Sequence, residues 1–192
     1  MNQDKHDYEL YNNALGKARL NLLTVANSVF LSTLLYSLKC SWDDTIPTAA
    51  TDGTHLYINP KFFISLDIQE QVGLLAHEIY HVAFLHNIRR GTRDPKSWNI
   101  AADMHINSIL ESHKFILPIG GIEGNACYLT QTTEQFYYEL KSSGLMKKIA
   151  ADLSDSAPLS NDVIDAASGS DPQKDEAKAQ DIMRRIVTAT VA

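Results

Sequence analysis

Apolar residues recur at helical spacing along most of this chain, and the strict alternation of a strand is confined to one short stretch. Over residues 5–37 the pattern predicts one long helix, or two in sequence with Gly16 as the weak point, apolar over too wide a face for a solvent-exposed helix. Residues 20–38 carry no charge and are long enough for a membrane span. Asn21, Thr24, Ser28 and Ser32 nevertheless fall on one stripe, with Asn27, Thr33 and Ser37 beside it, so a buried helix of a water-soluble fold is expected. Residues 46–59 read as a hairpin: strand 46–51, a turn at Asp52-Gly53, and strand 54–58, with Pro47 confining the first strand to an edge or a strand start.

Ile68, Val72, Leu75, Ile79 and Val82 then form a 3.6-residue stripe, predicting a helix over 68–89 that closes at Gly91 and packs under the long N-terminal helix. Asp67 with Glu70 reads as its capping box, with Leu74 and Leu85 on a second face. Asp94-Pro95 opens a helix to about Glu111, and Thr132 with Gln135 opens another to about Ser142 that includes Phe136, Tyr137 and Leu140. In the former, Ile100, Met104, Ile106 and Leu110 look to a core, while Asn99, Asp103 and Asn107 recur every four residues on one face. Such a polar row on a largely buried helix needs partners. Residues 117–121, rich in Pro and Gly, form a loop suited to lining a cleft. The expected organisation is a domain over 1–149, a flexible acidic linker over 150–174, and a terminal helix over 175–192 leading into a further domain.

These elements make an α+β domain, mostly helical with a small sheet. The 192 residues, 44% of them hydrophobic, suffice for one core. A net charge of −6 argues against nucleic acid as a partner, because phosphate binding needs a basic surface. Arg89-Arg90 and Arg93 are the one basic cluster, better read as neutralising a helix C-terminus. Cys40 and Cys127 lack ligand spacing, and the opening Met-Asn-Gln-Asp-Lys-His is no signal peptide, so a cytoplasmic setting without a membrane is expected.

Candidate chemistry centres on His77-Glu78-Ile79-Tyr80-His81. Residues four apart on a helix lie about 40° apart around the axis, so the two imidazoles converge on one side as half a zinc site. Glu78 lies beside it, placed to take a proton from an activated water without being a ligand. A catalytic zinc needs a third protein ligand. His86, nine residues beyond His77, would point roughly 180° away on the same helix. The metzincin extension is absent, with Phe84 and Asn87 at its glycine and histidine positions. Asp103 or His105 could complete the set, but not both, since they point about 160° apart.

The segments Ala76-His77-Glu78-Ile79-Tyr80-His81, Arg89-Arg90-Gly91, Arg93-Asp94-Pro95 and Trp98-Asn99-Ile100-Ala101-Ala102-Asp103 with Asn107 resemble a metallopeptidase domain family. That domain is found N-terminal to a VWA-like domain in bacterial and phage proteins. Ile46-Pro47-Thr48-Ala49-Ala50-Thr51-Asp52-Gly53 and Tyr57-x-Asn59-Pro60 fit the same pattern, and the resemblance covers residues 15–142. It implies a zincin-like fold in which Asp103 completes a Zn2+ site with His77 and His81. The expectation is therefore a zinc-dependent metallopeptidase with Glu78 as general base and a peptide or protein as substrate; a VWA-like domain or partner protein would join it. The hairpin could serve as a substrate ledge; His105, Tyr80 or Tyr128 would aid the carbonyl oxygen, and Asn99 and Asn107 would orient ligands. The alternative is a non-catalytic, zinc-stabilised scaffold or regulatory module that docks a partner protein. Hydrolysis of a non-peptide amide would use the same residues.

Overall fold

The computed structural model describes residues 2–25, 29–124, 129–145 and 172–191. Cys127, Tyr128 and the expected linker up to residue 171 lie outside them. The described residues build a mostly helical α+β fold with one three-stranded sheet. Helix α1 (Asn2–Val25) passes through Gly16 uninterrupted, so that glycine marks no break, and α2 (Val29–Ser37) follows. Both pack on α4 (Ile68–Ala83), as expected for the apolar stripe. Leu15, Ala18 and Leu22 of α1 and Leu31, Leu34 and Leu35 of α2 share the main core with Val72, Leu75, Ile79 and Val82. Each buried leucine or isoleucine there contributes about 1.5–3 kcal/mol, which holds α4 rigidly at the centre. None of the described helices is long and apolar enough to cross a membrane.

The hairpin forms, but its first strand is shorter than expected. Strand β2 is only Ala49–Thr51, antiparallel to β3 (His55–Ile58). Ile46 is held instead by a side chain, its carbonyl accepting from Asn59 Nδ2 at 2.7 Å, and Pro47 has no N–H to offer a ladder. At the turn Gly53 has φ 88°, while Asp52 Oδ1 accepts from the backbone N–H groups of Thr54 and His55 at 2.8 and 2.7 Å. A further strand, β1 (Lys39–Trp42), pairs parallel to β3 and makes β3 central, giving the order β1-β3-β2.

Asn59 caps the short α3 (Pro60–Ser65), and Asp67 with Glu70 forms the expected capping box at the start of α4. The continuous helix expected over 68–89 does not form. Helix α4 ends at Ala83, Leu85 adopts a left-handed conformation (φ 59°), and a separate turn of helix, α5 (His86–Arg89), sets off in a new direction before Gly91 (φ 58°). The arginines then cap carbonyls: Arg89 Nη1 donates to Phe84 O at 2.8 Å and Arg93 Nη1 to Arg89 O at 3.0 Å, while Arg89 also pairs with Glu134. That is the helix-end role expected of them.

Helix α6 (Pro95–Ser112) starts at the Asp94 cap and lies between α4 and α7 (Thr133–Ser143). Its outer face makes a second core, Trp98, Ile100, Ala101 and Met104 against Phe136, Tyr137 and Leu140. The last described helix, α8 (Pro172–Thr190), packs on α2 and the hairpin turn. Ile182 is fully buried over Gly53, Lys178 Nζ lies 2.9 Å from Asp52 Oδ2, and Arg185 donates to the Ser37 carbonyl.

Candidate metal centre

Helices α4 and α6 run side by side, and their polar positions face one another. His77, one turn before His81 on α4, meets Asp103 from the middle of α6, and all three are buried. Their inner atoms form a tight triangle. His77 Nε2 to His81 Nε2 is 2.9 Å, His81 Nε2 to Asp103 Oδ1 is 3.1 Å, and His77 Nε2 to Asp103 Oδ1 is 3.7 Å. These edges bracket the ~3.3 Å edge of a tetrahedron with bonds of about 2.0–2.1 Å, the length of Zn–N and Zn–O bonds.

The surroundings fit a cation. Both Glu78 oxygens are buried without a hydrogen-bond partner among the described residues, and the buried Asp103 carboxylate has only the two histidine rings beside it. Leaving such groups unmatched costs about 1–3 kcal/mol each, so their concentration here marks a place meant for something that satisfies them. Among the described residues His77, His81 and Asp103 are the group able to hold a metal ion. His105 does not join them. Its Nδ1 lies 2.9 Å from Thr133 Oγ1 and its ring stacks on Phe84 at 5.4 Å, away from the triangle.

The protein's own charges set the protonation pattern. Burial opposes a charge on His77, but hydrogen bonding to Asp103, the Asp103 and Glu78 carboxylates and the Asn107 amide oxygen outweigh it and raise its pKa. His81 goes the other way, to about 4, because burial and the charge on His77 together exceed the attraction of Asp103. For Asp103 burial raises the pKa and the two histidines lower it, with the lowering dominant. Glu78 is pushed up to about 8 by burial, with His77 acting against and Asp103 with the shift.

Outer contacts hold the candidate ligands. Asn107 Oδ1 lies 2.8 Å from His77 Nδ1, which orients the ring with Nε2 toward Asp103, and Asn107 Nδ2 donates to Ile122 O at 2.6 Å. The sequence row of Asn99, Asp103 and Asn107 anticipated this. It did not anticipate His86, which leaves the line of α4 at Leu85 and folds back so that its Nδ1 sits 3.1 Å from His81 Nδ1. His86 is not one of the three converging residues, and burial holds its pKa well down, which favours the neutral ring. Its Nε2 reaches Thr133 Oγ1 at 3.0 Å and its carbonyl accepts from Trp98 Nε1 at 3.1 Å. No glycine or proline near Leu85 signals that turn, so nothing local in the sequence could have revealed the contact.

A cavity of about 280 Å³ adjoins the triangle. His77, Asp103 and Asn107 form one side of it and Leu74, Leu117 and Ile122 the apolar remainder, with Glu111 and Glu123 also in its lining. The expected cleft-lining loop therefore does line it. Two close approaches hold that loop: a Cβ at Gly73 would fall 2.0 Å from Ile116 O, and one at Gly124 2.5 Å from Ser108 N. The hairpin is not part of this cavity, because β2 is buried against α4 and Thr51 O is taken by Asn87 Nδ2 at 2.8 Å. Tyr80, packed on Phe84, and His105 are also outside its lining, as are Glu78 and His81.

No curated protein and no solved structure shows significant similarity to the chain. A family model described as "Putative metallopeptidase domain" matches residues 11–189, a span that contains every residue of the His77, His81 and Asp103 triangle and both helices that carry it, and the chain belongs to that family.

Proposed function

We propose that this protein is a zinc-dependent metallopeptidase in which His77, His81 and Asp103 hold the ion and Glu78 is the general base. The observation that carries the reading is the convergence of two imidazole nitrogens and one carboxylate oxygen within 4.8 Å beside a cavity large enough for a side chain. Two histidines and a carboxylate are a donor set of catalytic zinc, which keeps a fourth position for water or substrate. When bound, such an ion lowers the pKa of water, polarises a carbonyl and favours the ionised form of a neighbouring carboxyl. Glu78 then accepts the proton as water attacks the peptide carbonyl and delivers it to the departing amine. Its unpartnered oxygens leave both lone-pair sets open for that traffic. The apolar wall of Leu74, Leu117 and Ile122 suits a peptide with a large apolar side chain next to the scissile bond.

The burial of His81 and Glu78 favours one rival, a zinc-stabilised scaffold that docks a partner protein. One set of proteins separates the readings. Wild type, His77→Ala, Asp103→Ala and Glu78→Gln are loaded with zinc, desalted, assayed for metal by mass spectrometry, and tested on labelled casein. Zinc is expected to stay in wild type and Glu78→Gln and to be lost from the other two. Turnover should fall about 10²–10⁴-fold in Glu78→Gln. Zinc retention by Asp103→Ala would remove the proposed ligand set, and hydrolysis undiminished in Glu78→Gln would remove the base.

A further inference from the structure

Behind His81, four side chains from four helices form an unbroken hydrogen-bonded series. His81 Nδ1 contacts His86 Nδ1 at 3.1 Å, His86 Nε2 contacts Thr133 Oγ1 at 3.0 Å, and Thr133 Oγ1 contacts His105 Nδ1 at 2.9 Å. His86 and Thr133 are wholly buried, so no water competes for these links. Each link needs one proton, each neutral imidazole carries one N–H, and the threonine carries one O–H. The nitrogen of His86 that carries its proton therefore sets which nitrogen of His81 carries its own.

Between His81 and His86 only two polarities exist. In one, His81 Nδ1–H donates to His86 Nδ1, His86 Nε2–H donates to Thr133 Oγ1, and the Thr133 hydroxyl donates to His105 Nδ1. His81 Nε2 then keeps its lone pair toward His77 and Asp103. In the reverse, His105 and Thr133 donate inward, His86 Nδ1–H donates to His81, and His81 Nε2 carries the proton that a metal would have to displace. The threonine hydroxyl is what supports the first polarity, because its oxygen accepts from His86 Nε2–H whichever way the His105 contact runs. A valine at this position offers no acceptor.

We propose that His86 and Thr133 are positioning residues that hold His81 in the tautomer able to bind a metal through Nε2, so that α7 takes part in the metal centre without touching the ion. The proposal rests on the metal-centre reading above. It parallels on the His81 side what Asn107 does for His77, and it explains why a buried histidine and the first residue of α7 meet with full hydrogen-bond complementarity.

The test uses the full chain and zinc. Affinity is measured by competition with a chromophoric chelator for wild type, Thr133→Val and Thr133→Ser. The valine variant should bind about 10–100-fold more weakly, and the serine variant, which keeps the hydroxyl, should bind like wild type. Equal affinity for valine and wild type would overturn the proposal, as would equal weakening of valine and serine. Absence of zinc binding by the wild type would overturn the metal-centre reading and this one with it. Long-range nitrogen–proton spectra of the zinc-loaded wild type are independent of how the variants fold. They should show the proton of His81 on Nδ1 and that of His86 on Nε2, and a proton on His86 Nδ1 refutes the assignment.

Discussion

Replacing Glu78 with glutamine preserves the shape of a fully buried side chain and removes its titration, and the metal-free protein should register the difference as stability. In the unfolded chain a glutamate titrates near 4.3, whereas burial in the fold pushes Glu78 up to about 8. Between these values the folded state keeps a proton that the unfolded state releases. Stability therefore falls as pH rises, by at most ~1.4 kcal/mol per pH unit. Across the whole interval the ceiling is about 5 kcal/mol, with the opposing effect of His77 already contained in the raised value. That is a large fraction of the 5–15 kcal/mol by which a typical domain is stable. Glutamine, always neutral, escapes the loss. Urea denaturation with a chelator present, at pH 5 and pH 9, reads the effect directly. Wild type and Glu78→Gln should agree within about 1 kcal/mol at pH 5 and diverge at pH 9 with the variant more stable. Titrating groups remote from Glu78 are common to both proteins and cancel in the difference, whereas His77, which the Glu78 carboxylate influences, titrates as part of it. Curves that stay parallel across this range, or a variant less stable at pH 9, would refute the reasoning.

Other substitutions probe the scaffold around the site. Gly73→Ala should lose about 1–3 kcal/mol despite alanine's better helix propensity, because the new methyl meets the Ile116 carbonyl; a raised urea midpoint would contradict this. Asn107→Leu leaves His77 Nδ1 without its acceptor and frees Ile122 O, so zinc affinity measured by chelator competition should fall about 10–100-fold. Ile122→Ala should reduce kcat/KM for a peptide with leucine facing the cavity by about 10-fold or more, and hardly at all for one with alanine there. Asp52 is held below the usual carboxylate range: burial opposes this, but Lys178 and the His55 and Thr54 N–H groups prevail. Its contribution is thus present above about pH 4 and lost as pH falls through its depressed pKa. Asp52→Asn should accordingly cost about 1–3 kcal/mol at pH 7, shrinking in strong acid, by urea unfolding at each pH.

Much of the framework is legible in the sequence where its determinants are local. The capping boxes at Asp67 and Thr132 and the proline at the first position of α6 set helix starts through contacts within one turn, and those starts fall where they were expected. The His77 and His81 pairing is local in the same sense. Strand β1 is not: Lys39 to Trp42 lacks alternation of its own and becomes a strand through parallel pairing with residues 16 positions away, which no short window records. The Asp103 position was reached by resemblance, since helical geometry alone left Asp103 and His105 equally open. The contacts of His86 and Thr133 depend on a turn at Leu85 for which leucine gives no local warning, and on α7 docking across α6.

The left-handed Leu85 makes the connector between α4 and α5 a fixed spacer. Its backbone carries a penalty of about 1–2 kcal/mol that glycine would escape, and the five-residue step from His81 to His86, which on a continuous helix would send the rings roughly 140° apart, instead closes to contact. A single inserted or deleted residue between Ala83 and His86 would rotate the second imidazole out of register while leaving every motif residue intact. Relatives should accordingly tolerate exchanges of side chain in this connector far more readily than changes in its length.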